Sequence, residues 1–212
     1  MKIALIGAGY VGGQILKEAV SRRHEVTVIT RHPEKVETPP GMTAKKGDVF
    51  QGEELAELLK GHNAVVSAYN PGATHPQAKE LQFKGTLATV EATKKAGVKR
   101  ILVVGGAGSL EIAPGKQLVD SADFPKEWKG AASGLRDALN EIRKEKDLDW
   151  SFFSPAAFLQ PGERTGKFRL GGEQLLTDET GASRISTADY AVALLDELEK
   201  PAHIRQRFTA AY

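Results

Sequence analysis

Gly7-Ala8-Gly9-Tyr10-Val11-Gly12 is the stretch of this sequence whose residue types and spacing point most directly to a chemistry. It fits G-x-G-x-x-G, a pattern that cradles a pyrophosphate when a strand precedes it and a helix follows. Lys2–Ile6, a short apolar run, supplies the strand. Tyr10–Ser21 supplies the helix, with Val11, Ile15, Leu16 and Ala19 at helical spacing. In that setting Gly7 makes the tight turn, Gly9 lets the backbone approach a pyrophosphate, and Gly12 permits close helix–strand packing. The helix start at Tyr10 and Val11 offers free N–H groups and a partial positive charge to the phosphates.

The choice of dinucleotide is made at the end of the second strand, about 20 residues on. An acidic residue there would grip the ribose 2′-hydroxyl of NAD. This sequence has Thr30-Arg31-His32, and no carboxylate before Glu34. A guanidinium suits a 2′-phosphate bidentately, so Arg31 favours NADP over NAD.

Other chemistries are excluded by what is missing. The 212 residues include no cysteine, which removes thiol nucleophiles, thiolate metal sites and a disulfide framework. The five histidines are scattered without metal-ligand spacing. The balance of 29 Lys+Arg against 27 Asp+Glu gives a net charge of +2, too weak a field to draw the chain to nucleic acid. No apolar run approaches the ~18–20 residues that cross a bilayer, and no signal-peptide pattern is complete, so a cytoplasmic protein is expected.

The elements that must position these residues alternate. Strands are predicted at Lys2–Ile6, Glu25–Thr30, Thr43–Gly47, Ala64–Ala68, Arg100–Val104, Trp150–Ser154 and Arg207–Ala211. Helices are predicted at Tyr10–Ser21, Glu53–Lys60, Gln77–Lys95, Leu135–Lys146 and Thr187–Leu198, the last capped by Ser186 or Thr187. Residues 112–129 read as irregular, and residues 158–172 as a loop with one short hairpin. Such alternation specifies an α/β chain with a doubly wound, mostly parallel sheet and helices on both faces: a three-layer Rossmann fold. A single domain over 1–212 is expected, with a small substrate-facing portion around 156–185. Ligands bind beyond the carboxyl ends of parallel strands, so the tips after residues 6, 30, 47, 68, 104 and 154 should share one edge.

Several further stretches carry a family resemblance: Gly47-Asp48-Val49, Ser67-Ala68-Tyr69-Asn70-Pro71, Val103-Val104-Gly105-Gly106-Ala107-Gly108-Ser109-Leu110, Ser154-Pro155-Ala156-Ala157-Phe158 and Pro161-Gly162-Glu163-Arg164-Thr165-Gly166-Lys167. With them the chain resembles an atypical short-chain dehydrogenase/reductase of the NAD(P)H-binding group, whose members include NADH-flavin reductases. Biliverdin reductase B looks like a more distant relative. The resemblance implies that Asp48 and Val49 flank the adenine and that Ala68, Tyr69 and Asn70 line the cofactor. It implies that Gly105 and Gly106 run beside the nicotinamide ribose, and that Ser154, Pro155 and Ala156 face the nicotinamide.

The chain departs from this pattern in three ways. Its glycine loop is one residue shorter than the group's usual G-x-x-G-x-x-G. The Tyr-x-x-x-Lys pair of ordinary short-chain dehydrogenases is absent, because Tyr10, Tyr69 and Tyr190 are followed four residues later by Gln14, Ala73 and Leu194. Gly106 and Ala156 stand where biliverdin reductase B has a serine and a histidine near its site. An acceptor that needs no protein acid is therefore expected: FMN, FAD, a quinone or a similar planar molecule, held face to face with the nicotinamide. Ser109 is the candidate hydroxyl at the fifth-strand tip, although it could equally cap the following turn. Arg164, Thr165 and Lys167 are candidates for holding the substrate, or form a solvated basic loop. A non-catalytic NADP-binding redox sensor is the alternative. The expected partner is a small-molecule acceptor, and the chain a monomer or homodimer.

Overall fold

The computed structural model describes residues 1–212. Its strands are β1 (Lys2–Ile6), β2 (Glu25–Thr30), β3 (Met42–Lys46), β4 (Ala64–Ser67), β5 (Arg100–Val104), β6 (Glu111–Ala113), β7 (Lys116–Gln117), β8 (Asp149–Ser154), β9 (Phe158–Gln160), β10 (Arg169–Gly171), β11 (Arg184–Ser186) and β12 (Gln206–Ala211). Its helices are α1 (Tyr10–Ser21), α2 (Gly52–Leu59), α3 (Ala78–Lys95), α4 (Lys126–Ile142) and α5 (Thr187–Glu199). Eight strands form one sheet in the order β10-β12-β8-β5-β4-β1-β2-β3. Every pairing in it is parallel except that of the edge strand β10 with β12.

Strand side chains alternate between the two faces, and the core divides accordingly. Ile3, Leu5, Val26, Val28, Val66, Leu102 and Phe153 face α1 and α5, meeting Ile15, Leu16, Ala19 and Leu194. Ala4, Ile6, Ile29, Val65, Ile101, Val103 and Phe152 face the other helices, meeting Leu55, Leu59, Val90 and Leu139. The Phe153 ring is stacked between Tyr190 at 4.1 Å and Phe208 at 4.2 Å, both within 3° of parallel. The three-layer Rossmann arrangement is thus as the alternation specifies.

Three expectations need correction. The fourth helix begins at Lys126, not Leu135, directly after Pro125 in an extended conformation. No hairpin forms within 158–172. Instead β9 pairs in parallel with β11, and β10 joins the main sheet through β12. Residues 112–129 are not irregular throughout: β6 pairs antiparallel with β7, and one turn of 3-10 helix follows at Leu118–Asp120. The Ser186 cap is as expected, its Oγ accepting from Asp189 N at 2.9 Å.

Candidate active site at the strand tips

A cavity of about 510 Å³ opens at the carboxyl ends of β1 to β5. That is within the range of small-molecule and cofactor sites, roughly 300–1,000 Å³. The residues that predict it converge there: Gly7, Gly9, Tyr10, Val11, Gly12, Thr30, Arg31, Asp48, Val49, Ala68, Tyr69, Asn70 and Gly105 all line it. The sheet holds the tips in register beyond the named strands. Gly7 N donates to Ile29 O, Gly47 N to Thr30 O, and Ala68 N to Ile6 O, all at 2.9–3.0 Å.

The three glycines of the loop differ in what a side chain would meet. Gly7 has φ +88°, a left-handed conformation. A Cβ on Gly12 would lie 2.1 Å from Gly7 O, so helix and turn touch there. A Cβ on Gly9 would meet nothing within 4 Å. Gly9 is therefore spared a side chain for something outside the chain's own packing. The first helical bond of α1 runs from Gly13 N to Gly9 O at 2.8 Å. The N–H groups of Tyr10, Val11 and Gly12 precede it and have no helical carbonyl to reach. No acidic residue occupies the first turn of α1, so its positive end is uncompensated.

At the β2–β3 end of the cavity, His32 Nδ1 pairs with Glu34 Oε1 at 3.3 Å, while Arg31 stands exposed at the rim. The Phe50 ring is half-exposed and meets Tyr69 edge-on at 6.2 Å. Burial pushes the Tyr69 phenol up, opposed by the Arg31 charge. The Tyr69 ring occupies the space a side chain on Gly85 would need, which seats it on α3. At the opposite end, α3 contributes Leu81 and Gln82, and α4 contributes Leu135. Gln82 is 1% exposed; its Nε2 donates to Tyr69 O and to Thr86 Oγ1, and its Oε1 has no partner.

Other predicted positions fall outside the cavity. Ser109 is 3% exposed and Ser154 fully buried; both hydroxyl oxygens accept from Arg207 Nη1, at 3.4 and 3.3 Å. The turn Ala107–Ser109 packs Gly108 against Ala132 and Val119, and Ser109 does not line the cavity. Gly106 lies just past the lining, against Leu135. Pro155 and Ala156 are buried, Ala156 in the core beside α5. Ser183 holds the chain beyond them, its Oγ accepting from Ala157 N at 3.1 Å. Arg164 is committed to Glu18, donating from Nε and Nη2 at 2.8 Å each. Thr165 Oγ1 donates to Asp189 Oδ2 at 2.6 Å. Lys167 shares that loop, its N–H bonded to Thr165 Oγ1. The segment expected to face substrate is thus fastened to α1 and α5, and none of these three residues lines the cavity.

The family model described as NAD(P)H-binding matches residues 7–198. The chain belongs to the NAD(P)H-binding family. It is 43% identical over 215 residues to the uncharacterized protein YwnB of Bacillus subtilis (strain 168), covering 99% of this chain and 97% of that one. A Bacteroides thetaiotaomicron structure described as a "putative epimerase" superposes with a TM-score of 0.93 at 47% identity, over 100% of this chain and 96% of that one. One from Streptococcus pneumoniae TIGR4, described as "a putative NADH-flavin reductase", gives 0.86 at 40% identity, over 100% and 99%. The cavity fits the family's ligand on its own evidence: open space over Gly9, free N–H groups at the start of α1, and an unpaired buried acceptor on Gln82.

Five lining residues outside the motifs quoted from the sequence escaped that reading: Phe50, His75, Leu81, Gln82 and Leu135. Gln82 and Leu135 sit on helices whose approach to the sheet no local pattern encodes. Phe50, two residues beyond Asp48, was the one with a readable signal.

Proposed function

We propose that this chain is an NADPH-dependent reductase that passes a hydride to a flavin, quinone or similar planar acceptor. The observation that carries the reading is the contrast between the two kinds of wall around the strand tips. At the β1 tip there is open space over Gly9 and an uncompensated helix start, while Ser109 and Ser154, the hydroxyls nearest the β5 and β8 tips, are held by Arg207 inside the protein. The tyrosine–lysine pair is also absent: the residues can bind, orient and exclude water, and the one phenol on the wall besides the exposed Tyr10, that of Tyr69, is pushed up by burial with no lysine to lower it. Chemistry of that kind suits an acceptor that takes a hydride and is protonated by solvent. The resemblance to a protein described as "a putative NADH-flavin reductase" supports the same reading.

The bound group supplies the hydride; the chain's part is placement. The N–H groups at the start of α1 would hold the pyrophosphate, and Asp48 and Val49 would flank the adenine. Arg31 would take the 2′-phosphate, its exposed guanidinium standing beside His32 at the rim.

Two measurements test this. Steady oxidation of NADPH with FMN or a quinone is expected; no turnover with any acceptor of a panel overturns the reductase reading. Binding without turnover would instead favour a redox sensor. Titration with both cofactors should show Arg31→Ala losing about tenfold in NADPH affinity, the worth of one charge-assisted contact, with NADH unchanged. Equal affinities for both proteins would overturn the 2′-phosphate role.

A further inference from the structure

The loop between β4 and α3 puts three polar side chains on the cavity wall, Tyr69, Asn70 and His75, and the last two are arranged alike. Asn70 Oδ1 accepts from Gly72 N at 2.7 Å. His75 Nδ1 accepts from Gln77 N at 3.1 Å. Each side chain thus accepts from the backbone N–H two residues on, which for His75 engages the one ring nitrogen that can accept. Beyond those bonds Asn70 has its amide hydrogens to offer and His75, with Nδ1 accepting, an N–H on Nε2. His75 also stands just before α3, whose Leu81 and Gln82 line the same end of the cavity with Leu135. Leu135 in turn packs beside Gly106, just past the tip of β5.

We propose that His75 Nε2–H is the hydrogen-bond donor to the acceptor's carbonyl oxygen, and that it sets a preference for acceptors with a conjugated C=O. The inference rests on the reductase reading above. In the step it serves, the acceptor gains a hydride (two electrons and one proton) from the reduced nicotinamide, which leaves oxidised. The charge delocalises onto the carbonyl oxygen, where the Nε2–H bond stabilises it. A solvent proton then completes the reduced acceptor, so quinone, NADPH and H⁺ give quinol and NADP⁺. His75 keeps its proton throughout. With Nδ1 accepting from Gln77 N, the ring presents Nε2–H as a fixed donor for charge that develops on the oxygen. Exposure of the loop leaves the way open for the solvent proton.

The test uses the full chain with His75→Phe, which keeps a ring without a donor, and His75→Gln, which keeps an N–H. Probes are FMN and 2-methyl-1,4-naphthoquinone. Two readouts are taken: kcat with NADPH, and FMN affinity of the NADP⁺-saturated protein by flavin fluorescence. His75→Phe should lose about tenfold in kcat, the scale of one exposed donor, and several-fold in FMN affinity. Its NADPH affinity should stay within about twofold, and His75→Gln should recover most of both losses. His75→Phe within twofold of the parent in both readouts overturns the proposal, as does His75→Gln as impaired as His75→Phe, or a parallel loss of NADPH affinity. A parent protein that turns over no acceptor, yet binds FMN in a His75-dependent way, overturns the reductase reading and keeps the donor. One that neither turns over nor binds FMN overturns both.

Discussion

Gly9 and Gly12 share a motif but answer to different masters. A methyl on Gly12 collides with the Gly7 carbonyl, whereas a methyl on Gly9 meets empty space. Gly9 already has φ −75°, which alanine tolerates. Gly9→Ala should therefore leave the melting temperature within a degree or two and cost at least tenfold in NADPH affinity. Gly12→Ala should lower both. Thermal melts with and without NADPH separate the two outcomes, and an intact affinity in Gly9→Ala would show that nothing approaches the backbone there. At this scale the sequence was most informative where a residue's chemistry is spent locally. Gly7, Gly9, Gly12, Arg31 and Asp48 lie within a few residues of the strand ends that aim them, and each lines the cavity. Ser109 lies outside the cavity, and the partner of its hydroxyl, Arg207, comes from a strand far along the chain that no local pattern links to it.

Glu18 shows what the elements demand of one another. It is 6% exposed on α1 and accepts from Arg22 and from Arg164, which anchors the 161–167 loop. The Arg164 hydrogen bonds hold its carboxyl below the ordinary value, against the opposing effect of burial. Asp189, on α5, lies low as well: burial works to raise it, and bonds from Thr165, Gly166 and Tyr212 outweigh that. For a depressed carboxylate, the stabilisation is fully present above the unfolded-state pKa and is lost as pH falls through the folded one. Stability should therefore be flat near neutrality and fall below about pH 4–5. Glu18→Gln should cost about 2 kcal/mol at pH 7, near 4–8 °C in Tm, and shrink the acid-side decline. Chemical denaturation at pH 7 and pH 4 checks it, and an unaltered pH slope would remove Glu18 as its source. The same scale explains the misplaced start of α4. Glycines at 130 and 134 argue locally against a helix. A Cβ on Gly134 would lie 2.4 Å from Lys79 O, so Gly134 is what lets α4 lie against α3.

At the scale of the whole molecule, Arg207 ties the sheet together beneath the site. Its side chain is 1% exposed and reaches from β12 to the turn after β5, the tip of β8 and Glu173. Arg207→Met removes these bonds and leaves Glu173 with Arg143 alone. It should cost roughly 3 kcal/mol, about 6–12 °C in Tm. Arg207→Lys should recover little, because one ammonium cannot span five acceptors on three segments. Full recovery by lysine, read by thermal unfolding, would show that charge alone matters there. The layered architecture was legible because it follows from alternation summed over the chain. The route of residues 156–186 was not, since β9 and β10 find partners only in β11 and β12.

β12 lies between β8 and β10, so the sheet is finished by a strand that leaves the ribosome after every one of its neighbours. Until then β8 is an edge with unpaired backbone groups, β10 has nothing to pair with, and the arginine beneath the β5 tip has not been made. During synthesis the phosphate-binding half can form early, but the far half stays unfinished and prone to strand capture. A nascent chain halted before residue 206 would present a nucleotide cradle beside an open sheet edge. Competence for the cofactor and safety from aggregation are thus acquired at different moments of translation.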